Sequence, residues 1–212
     1  MSQPLLAVQT FLLTHSLDEL AREHGVYARI STKNPSKFSL NYDQLEARDA
    51  DPISQDCRGL VLRSENDVVS NHVIVGPTHV LAWPMRRFFN YGQGAAAAVD
   101  FDSADTRFFE KLDGTLCIVY WDRDLREWSV ATRSVSDADL PMDGFGIQTF
   151  STLFWKSFNL CGGNKEALVK GNTYCFELCT PDNQVVVRYA DYKVFLLAVR
   201  SNVTGQESPA VD

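Results

Sequence analysis

The residues with the clearest chemical potential are Lys111-Leu112-Asp113-Gly114, a K-x-D-G pattern. Arg107 to Lys111 is predicted to be a strand, with Asp113-Gly114 as a tight turn before the apolar run Thr115 to Trp121. A lysine at that junction would project stiffly from the rim of a sheet. It becomes a nucleophile only by losing a proton, against a reference pKa of about 10.4. Partial burial, nearby arginines or a bound cation would ease that loss. Asp113 could fix the turn or accept hydrogen bonds from it. Taken alone, a four-residue pattern with one free position arises often by chance, and a surface hairpin is the plainer reading. Glu177 is a second candidate, since it interrupts the apolar run Tyr174-Cys175-Phe176-Glu177-Leu178. A carboxylate among such neighbours is costly unless paired, hydrogen-bonded or linked to a metal. Arg58, at the head of an apolar run, carries a fork suited to phosphate oxygens or to a surface ion pair.

The elements that must hold these residues read as antiparallel-rich α+β rather than alternating β-α-β. Apolar spacing over Leu5 to Glu23 predicts one helix or two short ones. Ile30 to Asp56 is polar, with Asn34-Pro35-Ser36 and Asp51-Pro52 as turn signals, and reads mostly as loop. Short strands are expected at Gly59 to Arg63, Val68 to Val75 and His79 to Trp83, with a small-residue connector over Gly92 to Ala98. Glu127 to Arg133 alternates as a strand should. Gly146 to Phe158 and Lys165 to Lys170 suggest helices, and three strands follow at Tyr174 to Leu178, Val185 to Arg188 and Lys193 to Val199. Residues 201–212 are polar and aperiodic.

Composition sets broad limits. The chain has 212 residues, 45% hydrophobic and 22% charged, with a net charge of -7. That is ordinary for a globular protein able to bury a sizeable core. The acidic balance argues against nonspecific coating of nucleic acid while permitting a local basic groove. No apolar run has the length of a membrane span, and residues 1–9 lack the pattern of a secretory signal, so a cytoplasmic protein (host cytoplasm for a viral one) is expected. Five cysteines, mostly in apolar runs, read as reduced core residues; Cys175 and Cys179 lack a second pair at zinc-ligand spacing.

Several segments, in order, resemble the ATP-dependent RNA ligases of the bacteriophage T4 RNA ligase 1 type, in the covalent nucleotidyltransferase superfamily. Cys57-Arg58-Gly59-Leu60 looks like the family's "ECRG" segment, and Trp83 to Asn90 like its "RPMEKFFN" segment. Lys111 to Leu116 matches motif I. Thr132-Arg133-Ser134 stands where the family has a Ser-Lys-Gly-Ser turn. Tyr174 to Tyr189 resembles motif III, and Lys193 to Gly205 resembles the segment that follows. The resemblance implies one adenylation domain on antiparallel sheets flanked by helices. It would comprise an N-terminal helical and loop part (1–56), a catalytic core (57–200) and a polar tail (201–212). It implies that Lys111 attacks the α-phosphorus of ATP, and that AMP passes to an RNA 5′-phosphate for sealing by a 3′-hydroxyl, with Mg²⁺ or Mn²⁺. It assigns nucleotide contacts to Arg58, Arg87, Phe89, Asp113, Gly114, Arg133, Glu177 and Tyr42, with Glu177 also beside the metal. Arg87 and Arg133 replace family lysines, Ser134 replaces a glycine, and Tyr42 aligns only across a gap.

The family's later Glu-Gly (motif IV) and Lys-x-Lys (motif V) segments are not found, so a trimmed ligase or a natural short form is expected. A DNA ligase and a capping guanylyltransferase are the alternatives within the superfamily. Leu116, where DNA ligases usually carry a basic residue, and the Arg58 and Phe88-Phe89-Asn90 segments favour the RNA ligase type. A nucleotide- or RNA-binding module without catalysis is the alternative outside it. The oligomeric state and the RNA acted on are not legible.

Overall fold

A computed structural model of the chain describes residues 5–93, 95–139, 141–142 and 148–209. Parts of four sequence-based assignments therefore lie outside it: residues 1–4 of the opening segment, 94 of the connector, 146–147 of the expected helix and 210–212 of the tail.

Two antiparallel sheets form the centre. Sheet I runs in the order β1 (Val26–Ile30), β2 (Lys37–Tyr42), β3 (Arg58–Ser64) and β4 (Thr78–Ala82). Sheet II runs β6 (Glu127–Ala131), β5 (Thr115–Asp122), β7 (Asn172–Cys179), β8 (Lys193–Ser201) and β9 (Glu207–Pro209). Three short helices, α1 (Ala7–Leu12), α2 (Leu17–His24) and α3 (Pro52–Asp56), cover the outer face of sheet I. Helix α4 (Phe150–Leu160) covers the outer face of sheet II. The described residues thus stack as helices, sheet, sheet, helix.

Period-two alternation sorts each strand between these layers. Along β5, Cys117 and Val119 join the α4 core while Ile118 and Tyr120 face sheet I. Along β3, Leu60 and Leu62 join the α1–α3 core while Val61 faces sheet II. Both faces of β3 and β5 are covered, which is why these central strands read as unbroken apolar runs. The layer between the sheets is the thinnest core: Val61, Leu81, Ala82, Ile118, Tyr120 and Ala131, with Leu116 at its margin.

Local signals place the helix ends. The Ser16 hydroxyl accepts the Glu19 amide at 3.3 Å while Glu19 accepts the Ser16 amide at 2.8 Å, a reciprocal cap. Gly25, at φ +59°, ends α2 in the left-handed region. Asp51 caps α3, with Pro52 in its first turn.

The structure departs from the sequence-based expectation in several places. The segment from Ile30 to Asp56, expected as loop, contains β2 and α3. Its alternation was hidden because the residues facing sheet II are polar and find partners there. Lys37 Nζ meets Asp122 at 2.8 Å and Asp137 at 2.5 Å, and the Ser39 hydroxyl donates to the Ser134 carbonyl at 3.0 Å. Val68 to Val75 forms only an isolated bridge from Ile74 to Ser16; Val68 and Val75 are buried while Val69, Val73 and Ile74 are exposed. Residues 107–111 are not a strand. Phe108 and Phe109 are 76% and 67% exposed, and no strand pairs with them. Val185 to Arg188 is irregular because its amides go to the Asp113 carboxylate instead of a neighbouring strand. Of Lys165 to Lys170, only a 3₁₀ turn at Lys165–Ala167 forms. The tail contributes β9 to the edge of sheet II.

Candidate active site

The candidate residues gather at one end of the gap between the sheets. Tyr42 closes β2 and Arg58 opens β3, while Lys111 to Gly114 leads into β5 and Arg133 follows β6. Glu177, near the end of β7, pairs with Leu116 on the face that looks toward sheet I. Antiparallel pairing brings these ends together without the residues being neighbours in sequence.

A cleft of about 570 Å³ opens there, within the span of about 300–1,000 Å³ usual for small-molecule sites. Tyr42, Arg58, Arg87, Phe89, Lys111 and Arg133 all line it, joined by Gln44, Leu45, Asp49, Phe88, Asn90 and Gln93. Phe88 and Asn90 lie within the segment quoted above, whereas Gln44, Leu45, Asp49 and Gln93 carried no signal of their own. A smaller depression of about 60 Å³, near Ser31, Lys33, Asp137 and Asp139, takes in none of the predicted residues.

The basic wall alternates with aromatic rings. The Arg87 guanidinium lies 4.5 Å from the ring centroid of Tyr42 and 4.8 Å from that of Phe89. Arg133 lies 4.7 Å from the same Tyr42 ring, and Arg58 lies 4.7 Å from Phe88. Such contacts fix a guanidinium plane without neutralising its charge. Arg87 is only 8% exposed. Its Nη1 donates to the carbonyls of Ala47 and Arg48, each at 3.2 Å, and its Nη2 meets Asp49 at 2.8 Å. Arg133 Nε donates to Asn41 at 2.8 Å. The bulge between Leu40 and Asn41 sets Asn41 opposite Arg58, so Arg58 and Arg133 converge on one strand end.

Arg58 differs from the other two. Its Nη1 is buried and, among the described residues, has no hydrogen-bond partner. Burial, reinforced by Arg133, lowers its pKa against the pull of Tyr42, Cys175 and Glu177. A buried charged donor left unpaired is destabilising by about 1–3 kcal/mol or more, and an anionic oxygen would relieve it.

Two glycines allow this crowding. Gly59 has φ +87°, and a Cβ there would approach Ile118 Cδ1 to 2.6 Å and the Arg133 Cα to 3.2 Å. Gly114 is not at positive φ and is not a hairpin residue. A Cβ at Gly114 would run into the Leu178 carbonyl oxygen, so glycine is required by close approach to β7.

The K-x-D-G segment is irregular, so Lys111 does not end a strand as expected, and its side chain is exposed. The Asp113 carboxylate accepts the amides of Val187 at 2.6 Å and Val186 at 2.8 Å, and these bonds hold its pKa below the usual carboxylate value. The Gly114 amide donates to Glu177 at 3.0 Å. Burial raises the Glu177 carboxyl above its ordinary range, outweighing that bond and the nearby Arg58 and Lys111 charges.

The segment running through the cleft from β4 is also anchored. Asp56 accepts from Trp83 Nε1 at 2.9 Å and from Arg86 Nε at 3.0 Å. The Arg87 amide donates to the Gln55 carbonyl at 2.9 Å. Asp56 thereby sets the position of Arg87 to Phe89, a role that sequence spacing did not indicate.

The chain is similar to viral RNA ligases. It is 26% identical over 173 residues to the "RNA ligase" of Rhodothermus phage RM378, across 68% of this chain and 37% of the phage protein. It is 29% identical over 197 residues to a protein of Autographa californica nuclear polyhedrosis virus named "Putative bifunctional polynucleotide kinase/RNA ligase", across 84% of this chain and 26% of the viral protein. The chain therefore spans well under half the length of either relative. No family model matches it. Cys57, Cys117, Cys175 and Cys179 are buried and Cys161 is exposed, all as free thiols. No described helix is long and apolar enough to cross a membrane.

Proposed function

We propose that this chain carries the nucleotidyl-transfer chemistry of an ATP-dependent RNA ligase, with Lys111 as the residue that becomes joined to AMP. The observation that carries this reading is the buried, unpartnered Nη1 of Arg58 at a cleft that Lys111 also lines. An orphan guanidinium donor beside an exposed amine suits a ligand that presents phosphate oxygens to one and a reacting phosphorus to the other.

In this reading the exposed Lys111 amine loses a proton to solvent and its lone pair attacks the α-phosphorus of ATP. A phosphorus–nitrogen bond forms and the bond to pyrophosphate breaks. An oxygen of an RNA 5′-phosphate then attacks the AMP phosphorus as the phosphorus–nitrogen bond breaks and Lys111 regains a proton. A 3′-hydroxyl, losing its proton to solvent, attacks the activated 5′-phosphorus and AMP leaves, sealing the strand. Arg58 and Arg133 offset the growing negative charge, and Arg87 holds the Tyr42 and Phe89 rings that border the base and sugar. Glu177 and Asp113 act mainly on the backbone of the nucleophile's own segment. A Mg²⁺ or Mn²⁺ ion brought with the triphosphate would supply further positive charge against its phosphate oxygens, with Glu177 as the carboxylate beside it. Among the described residues no three His, Cys, Asp or Glu side chains converge into a metal site, and none of these steps requires a cage of protein ligands.

The test is incubation with ATP labelled at the α-phosphate and Mg²⁺, followed by a denaturing gel. A labelled band that disappears in Lys111→Ala supports the reading, and label that persists in that variant refutes the assignment. ATP binding without label would instead favour a noncatalytic nucleotide-binding module. Failure of labelled GTP to substitute would separate the reading from a capping enzyme.

A further inference from the structure

Lys111 is exposed, so its position rests on the backbone that carries it. That backbone is fastened along three successive groups, all to the stretch between Glu177 and Tyr189. The Asp113 amide donates to the Tyr189 hydroxyl oxygen at 3.2 Å. The Asp113 carboxylate accepts the amides of Val186 and Val187. The Gly114 amide donates to Glu177. The fastening is one-sided: among the described residues no strand pairs with 107–111, and the hydrogen bonds that hold the segment lie downstream of the lysine.

Resting on the nucleotidyl-transfer reading, we propose that Tyr189 is a positioning residue for Lys111, acting through its hydroxyl on the Asp113 amide. Tyr189 does not line the cleft. Val185, Val186 and Val187 are 58%, 77% and 47% exposed, so little burial holds this loop, and its bonds to Asp113 tie the two segments to each other. Loss of the hydroxyl frees the Asp113 amide and lets the nucleophile wander, whereas contacts to the nucleotide remain.

The variant that tests this is Tyr189→Phe, which keeps the ring and removes one oxygen. In single-turnover labelling with α-labelled ATP, the rate of lysyl-AMP formation is expected to fall by about 10-fold with the ATP concentration for half-maximal rate unchanged, since misplacement of a reacting group lowers rate without weakening binding. An unchanged rate, or a loss confined to the half-maximal ATP concentration, overturns the proposal. Amide hydrogen exchange of a peptide spanning residues 111–116 supplies a readout that needs no catalysis. Faster exchange in Tyr189→Phe, with the rest of sheet II unchanged, is expected, and unchanged exchange overturns the proposal. If the wild-type chain takes up no label, the nucleotidyl-transfer reading fails and the exchange result still decides whether Tyr189 holds the segment.

Discussion

The carboxylate of Glu177 accepts the main-chain N–H of Gly114 at 3.0 Å. This single bond ties the segment carrying the nucleophile candidate to the strand beside it, and it occupies part of the carboxylate that sequence reasoning had assigned to nucleotide or metal. Glu177→Ala leaves the amide without its acceptor in a half-buried position. It is expected to lower stability by about 1–3 kcal/mol in urea unfolding, with Glu177→Gln, which retains an amide oxygen, costing less.

The same carboxyl gives a pH signature. Burial, the largest influence, places its folded value above the ordinary 4.5. A raised carboxyl contributes stability at pH below its unfolded value and loses it as pH rises through the folded value. Glu177→Gln does not titrate, so its stability relative to wild type should improve as pH increases from about 4 toward neutrality. Paired unfolding curves across that range check the sign; a constant difference would contradict it.

Arg87 distinguishes charge from shape. Its three hydrogen bonds and two ring contacts need a planar fork. Arg87→Lys retains the charge but cannot reproduce them, and it is expected to destabilise the protein by about 1–3 kcal/mol, measured as a lower urea midpoint at unchanged slope. A neutral result would mean that the charge alone matters there.

Lys37 tests the far end of the same gap. Its ammonium is buried with Asp122 and Asp137. Lys37→Met strands two acids and should cost about 3–5 kcal/mol. Burial disfavours the ammonium, but the bonds to Asp122 and Asp137 outweigh it and raise its pKa above 10.5. Its contribution is therefore complete below that value and lost only as pH rises through the higher folded value. Thermal unfolding at neutral and strongly alkaline pH reads both effects.

Gly114→Ala should harm both fold and labelling. The new methyl group has nowhere to go but into the Leu178 carbonyl, an overpacking expected to cost about 1–3 kcal/mol. A thermal unfolding temperature equal to wild type would show that β7 can move aside.

Much of this architecture was readable because a strand covered on both faces, such as β5 or β7, shows as a short unbroken apolar run. Helical structure over Leu5 to Glu23 was readable from apolar spacing as one helix or two short ones, and the Ser16–Glu19 cap resolves it into α1 and α2. What escaped was decided by distant partners. Lys37 and Ser39 disguised β2 because their acceptors, Asp122, Asp137 and the Ser134 carbonyl, lie about 85 to 100 residues away in sequence. Asp113-Gly114 imitated a hairpin, yet its glycine answers to Leu178 and its carboxylate to Val186 and Val187. Six of the nine residues singled out for the site line one cleft. Asp49 and Asp56, which orient the arginine-bearing segment, are ordinary acidic residues in a polar stretch, and only the fold reveals their work.

The cleft borrows its walls from both sheets: Tyr42 and Arg58 from one, Lys111 and Arg133 from the other. Neither half can assemble it alone, and the layer that joins them is the slimmest of the three cores. The cleft therefore exists only where the two sheets pack on each other, whereas each sheet's larger core is completed by its own helices. A ligand bridging the two walls would act as a cross-brace, and its occupancy would report how firmly the sheets are closed.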